Sequence, residues 1–138
     1  MSLLVEKLSE MILSNGKTSG SVTTTDQAKN EKPVHASFRL LIPPNKWQEA
    51  LSIFGTVVEL TKLEKGCINC RLYQDLHDEG ALKLEQVWKD QIDLERHLRS
   101  DRFRTVLLVM DLATEYPEIR FDVIESTSGM ETIQRVRV

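Results

Sequence analysis

The run VHASFRLLI, beginning at Val34, places Val34, Ala36, Phe38, Leu40 and Ile42 at every second position, and Pro43-Pro44 closes it. Side chains on a strand alternate between its two faces. These five residues therefore line one face, which needs an apolar cover. Proline cannot extend the ladder, so the strand ends there. The cover follows directly. Trp47, Ala50, Leu51, Phe54, Val58 and Thr61 recur at helical spacing, and Gly66 stops the run. Asn45 is read as the N-cap of this helix, with Gln48 at the capping-box position.

The remaining segments follow the same logic. CINCRLYQDL is a second strand, with Ile68, Cys70 and Leu72 expected on one face and Asn69, Arg71, Tyr73 and Asp75 on the other. His77 to Gly80 turns the chain. ALKLEQVW is a third strand, carrying Leu82, Leu84, Gln86 and Trp88 together. Asp90 caps a short helix with Leu94, His97 and Leu98, and a second helical segment from Asp101 carries Phe103, Val106, Leu107 and Met110. EIRFDVIES is a fourth strand, and the tail ETIQRVRV is read as a fifth. The order β-α-β-β-α-α-β predicts an α+β, ferredoxin-like antiparallel sheet with helices on one face. The other face mixes Ser37, Arg39, Leu41, Tyr73, Glu85 and Val87. Such a surface suits packing against a second sheet, most simply in a symmetric homodimer.

Residues 1–33 are set apart. Leu4, Leu8, Met11 and Ile12 share a helical face, and Lys17 to Pro33 has the Ser, Thr and Gly content of a linker. This arm is expected to pack on a partner subunit or cover a pocket mouth. The compact domain is expected over 34–138. The 138 residues suit one such domain. A net charge of −3 without a basic cluster argues against a nucleic-acid partner. No apolar stretch is long enough to span a bilayer. Glu6, Lys7 and Glu10 interrupt what would be the core of a signal peptide, so a cytoplasmic protein with free thiols is expected.

Both cysteines lie in GCINC, as C-x-x-C. On a regular strand, residues three apart point to opposite faces, so the pair is not expected to hold one metal ion. A redox pair also favours a helix N-terminus, which lowers a thiol pKa, and no helix begins here. Cys70 reads as a small core residue and Cys67 as the start of the strand. Of the three histidines, His97 is distinguished by sharing a helix face with Leu94 and Leu98. It reads either as a boundary histidine bonded to a carbonyl, or as a proton acceptor or donor at the wall of an apolar pocket beside Trp88.

From Val34 to Ile124 the chain resembles the antibiotic biosynthesis monooxygenase (ABM) family of the dimeric α+β barrel superfamily. The residues that carry the resemblance are Gly66-Cys67, RLYQD from Arg71, Trp88, and HLRSDRF from His97, with the spacing W-x8-H-x2-S-x2-F. The resemblance implies a homodimer with a pocket between sheet and helices in each protomer. It implies oxygenation of small quinol-like or polycyclic aromatic substrates with O2, using no flavin, haem or metal. Within it, His97 is the candidate catalytic base, and Trp88, Gln86, Phe103 and Leu107 are candidate substrate-binding residues. Tyr73 and Asn69 could act as donors only if their strand face turned to the ligand. Two departures favour a non-catalytic small-molecule-binding dimer instead: Gln86 where many members have glutamate, and Arg102 where many have histidine. Proton-transfer chemistry on the same scaffold, as in an isomerase or decarboxylase, is a third reading. Leu107 stands where the haem-degrading branch has its histidine ligand, which sets that branch aside.

Overall fold

A computed structural model describes residues 32–138. The expected arm over residues 3–13 and most of its linker lie outside them. Four strands, β1 (Val34–Leu41), β2 (Cys67–Gln74), β3 (Ala81–Trp88) and β4 (Glu118–Val123), form one sheet in the order β2-β3-β1-β4. Every neighbouring pair is antiparallel. Four helices accompany them: α1 (Trp47–Thr61), α2 (Gln91–Leu98), α3 (Asp101–Met110) and α4 (Met130–Val136). This is the expected ferredoxin-like architecture. β1 and β2 are joined through α1 and separated in the sheet by β3.

The alternation in β1 works as the sequence requires. Val34, Ala36, Phe38 and Leu40 are buried against Ala50, Phe54 and Val57 of α1 and Phe103, Val106 and Val109 of α3, all in one core cluster. Each of the larger of these side chains, the valines, leucine and phenylalanines, contributes roughly 1.5–3 kcal/mol through burial. That matters most for α2. Its eight residues are too few for a stable isolated helix, so packing and caps must hold it. Leu94 and His97 supply the packing, and Asp90 accepts from the Asp93 N–H at 2.8 Å. Ser100 caps α3 in the same way, accepting from the Phe103 N–H at 3.2 Å.

Three local expectations are corrected. Asn45 does not cap α1. The two prolines lead into a 3-10 turn, Pro44–Lys46, so Asn45 sits inside that turn and α1 begins at Trp47 without a side-chain cap. The tail is a helix rather than a fifth strand. Met130, Ile133 and Val136 recur every third residue, and the Gly129 N–H donates back to the Glu131 carboxylate at 2.7 Å. Ile68 does not face the core; it is 56% exposed. A register shift in β2 lies between Cys67 and Asn69, which pair with Trp88 and Val87. A bulge of this kind inserts one residue and reverses the alternation.

That bulge also corrects the reading of the cysteines. Cys67 pairs with Trp88 and Cys70 with Gln86, two residues on the helix-facing side of β3. The thiols therefore share a face despite lying three residues apart.

Candidate active site

Trp88 ends β3 on its inner side, and Gln86 precedes it on the same side. His97 reaches them from α2 and Phe103 from α3. The His97 ring stacks on Trp88 with centroids 4.6 Å apart and 29° between planes. Phe103 meets it edge-on at 5.5 Å. His97, Gln86 and Trp88 have no exposed surface, and Phe103 has almost none.

The polar atoms form one chain. Trp88 Nε1–H donates to Gln86 Oε1 at 2.9 Å. An indole N–H can only donate, so the carboxamide oxygen must face Trp88 and its nitrogen must face His97. That nitrogen lies 3.3 Å from His97 Nε2. It too can only donate, so His97 Nε2 carries the lone pair and the proton sits on Nδ1. Nδ1–H then donates to the Glu64 carboxylate, at 2.9 and 3.0 Å to its two oxygens. Arg102 Nη1 pairs with the same carboxylate at 2.9 Å. The indole thus sets the amide orientation, and the amide sets the tautomer.

Burial pushes the His97 pKa below its ordinary value; Glu64 opposes this and Arg102 adds to it. The ring is held neutral. A neutral imidazole with Nδ1–H on a carboxylate presents Nε2 as a proton acceptor, the arrangement of a general base. Here the lone pair is covered by the Gln86 amide. Accepting a proton requires that amide to turn away, because two N–H groups cannot face each other across 3.3 Å.

Glu64 was not legible in the sequence. It lies in the turn after α1, 33 residues from its partner. Its place depends on Gly66, whose φ of +85° belongs to the left-handed region. A Cβ there would stand 2.1 Å from Asp93 Oδ2. The turn therefore lies directly against the start of α2, where Lys89 N–H donates to Gly66 O at 2.7 Å. A glycine two residues after a glutamate is the one signal available, and it names no partner.

Of the five candidate residues, the structure gathers His97, Trp88, Gln86 and Phe103. Leu107 is buried in the shared core, one helical turn beyond Phe103 on α3. None of the five lines the open cavity of about 400 Å³ between α1 and β2. Tyr73 does line it, because β2 is the edge of the sheet and residues of both its faces reach that mouth. Cys70 is also in its wall, opposite Gln86 in the β2–β3 ladder. Burial drives the Cys70 pKa up to about 12 and raises that of Cys67. Both are protonated thiols at neutral pH, unsuited to nucleophilic attack. Among the described residues, no third His, Cys, Asp or Glu joins them in a group that could hold a metal ion. No described helix is long and apolar enough to cross a membrane.

Comparison with known proteins agrees with this architecture. An uncharacterized protein of Synechocystis is 24% identical over 101 residues, spanning 72% of this chain and 69% of that protein. A conserved protein from Methanosarcina mazei superposes with a TM-score of 0.63 at 26% identity, over 70% of this chain and 97% of the other. A structure described as an antibiotic biosynthesis monooxygenase gives 0.61 at 22% identity, over 66% and 98%. The description of the antibiotic biosynthesis monooxygenase family itself matches residues 33–107, more than half of the chain. With the sheet order and the Trp88–His97 pairing already in place, that match makes the chain a member of the antibiotic biosynthesis monooxygenase family.

Proposed function

We propose that this protein is an ABM-type monooxygenase that uses O2 on a small quinol-like or polycyclic aromatic substrate, with His97 as general base. The observation that carries the reading is the Glu64–His97 pair: a buried, neutral imidazole whose Nδ1–H is fixed on a carboxylate. For an anthrone-like ring methylene, the balance closes without an added reductant. His97 Nε2 takes a proton from the C–H bond. The resulting anion passes one electron to O2, and the two radicals combine to form a C–O bond. After protonation of the peroxide, the O–O bond breaks as the second C–H proton leaves. One oxygen stays as the ketone and the other departs as water. A dry, apolar surround keeps the anion from being quenched.

The covered lone pair favours a second reading. With Nε2 already accepting from Gln86, the same residues make a rigid wall for a ligand that is bound and not turned over. The mixed outer face of the sheet is assigned to a second copy of the chain. In its middle Ser37 is 7% exposed, small enough for close approach of another sheet.

Oxygen uptake with reduced naphthoquinols and anthrones separates the readings, with chelator present and autoxidation subtracted. Saturable uptake that falls about 10²–10⁴-fold in His97→Gln supports the oxygenase, in line with the loss of a general base. No uptake above the blank supports the binder. Sedimentation at micromolar concentration tests the dimer, and a monomer there would refute it.

A further inference from the structure

Strand β4 carries two rows of side chains of opposite character. Glu118, Arg120 and Asp122 form one row, and Ile119, Phe121 and Val123 form the other. The apolar row pairs with Phe38, Ala36 and Val34 of β1, so it lies on the helix-facing side of the sheet. A strand that alternates in this way has its apolar face covered. Here the cover stops one strand short. Phe38, Ala36 and Val34 are at most 1% exposed, whereas Phe121 is 46% and Val123 51% exposed. Helix α1 packs on β2, and α3 packs beside α1. Phe103 of α3 reaches Phe38 at 5.6 Å, and Phe121 meets the same ring edge-on at 5.8 Å, at the margin of the core.

The neighbours already placed do not fill this strip. Helix α4 follows β4 directly, yet none of its residues is buried. A second copy of the chain is assigned to the opposite face of the sheet. A third apolar surface lies at the start of the same chain. Leu4, Leu8, Met11 and Ile12 share one helical face, with Glu6 and Glu10 opposite them. From Leu4 to Ile12 such a helix would rise about 12 Å, and Ile119 to Val123 spans about 13 Å of strand. Residues 14–31 join that segment to Lys32. A Ser, Thr and Gly-rich chain of that length spans roughly 20–25 Å. That reach is sufficient because the tether is anchored beside the strip. Lys32 pairs with Glu125 at 2.8 Å, Ile124 N–H donates to Pro33 O, and Val34 lies opposite Val123.

We propose that residues 3–13 dock as an amphipathic helix on the apolar row of β4 in their own chain. Leu4, Leu8, Met11 and Ile12 lie against Phe121 and Val123, and Glu6 and Glu10 face water. The short tether keeps the segment near the strip at roughly millimolar effective concentration, so a modest apolar contact suffices.

The test uses the full chain and its methyl and amide spectra. Methyl contacts from Leu8 and Met11 to the Phe121 ring are expected. Residues 3–13 are too few for a stable isolated helix, so exchange protection over residues 4–12 reports docking. Leu8→Asp should erase those contacts and speed exchange over residues 4–12 at least about tenfold. Val123→Asp, on the strip itself, should do the same. Amides of β1 and β3 should stay protected in both variants, which separates undocking from unfolding. Mixing isotope-labelled with unlabelled chains assigns the contacts to one chain or two. Contacts found only between chains would overturn the proposal. Free exchange over residues 4–12 in wild type, contacts centred on α4, or unchanged exchange in Val123→Asp would overturn it as well. Oxygen uptake plays no part in this test, so the docking and the oxygenase reading stand or fall separately.

Discussion

The His97 imidazole and the Glu64 carboxylate meet at 2.9 Å across 33 residues of chain, and that contact fixes which ring nitrogen holds the proton. Ring ¹⁵N spectra are expected to show Nδ1 protonated and Nε2 bare at neutral pH. Glu64→Gln removes the charge from this bond and leaves Arg102 without its carboxylate. A loss of about 1–2 kcal/mol is expected, at the lower end for a charged hydrogen bond because Glu64 is partly exposed. Urea denaturation measures it, and unchanged stability would show that the pair holds nothing in place.

His97 gives stability a definite dependence on pH. Its folded pKa lies below the ordinary value near 6.5, chiefly through burial. Below 6.5 the unfolded chain therefore binds a proton that the folded chain refuses. The contribution is complete above 6.5 and is lost as pH falls from there through the lower folded pKa, at about 1.4 kcal/mol per pH unit. Denaturation between pH 7.5 and 4.5 should show a steeper acid slope for wild type than for His97→Gln. Equal slopes would contradict a buried neutral ring.

Gly66→Ala faces two penalties at once, a left-handed backbone and overlap with the Asp93 carboxylate. Together they should cost about 2–4 kcal/mol. The double variant with Asp93→Ala removes the carboxylate overlap and leaves the Asp93 Cβ and the backbone in place, so the two changes should combine to somewhat less than their sum. Simple additivity would mean that the turn moves away without resistance.

The terminal helix α4 should be dispensable for the fold. None of its residues is buried, and Met130, Ile133 and Val136 are all exposed. A chain ending at Ser128 is expected to unfold within about 0.5 kcal/mol of the full one, as for changes that touch no core. A larger loss would mean that the apolar stripe is covered in solution.

Much of this architecture could be read from periodicity. The spacing from Trp47 to Thr61 and the alternation of β1 each repeat often enough to declare a buried face. Trp88 and His97 could be placed together because both follow from element phase. What failed were single-residue events. The bulge beside Ile68 has no signature in CINCRLYQ and reverses every inference drawn from alternation upstream of it. Asn45 has the chemistry of a cap and loses the role to a proline-driven turn. Glu64 is joined to His97 only through the folded chain, and no local pattern encodes a contact of that separation. The tail misled because ETIQRVRV is short enough to satisfy either period.

The sheet order sets the two working edges of the molecule apart. Lys32 pairs with Glu125 at 2.8 Å, and Ile124 N–H donates to Pro33 O, so the segment entering β1 and the segment leaving β4 meet beside β4. The cavity lies on β2, three strand spacings away, roughly 14 Å across the sheet. A probe carried on Lys32 or Glu125 is therefore seated at the far side of the sheet from the cavity. A dye or surface linker attached there can report on the cavity without standing in its mouth.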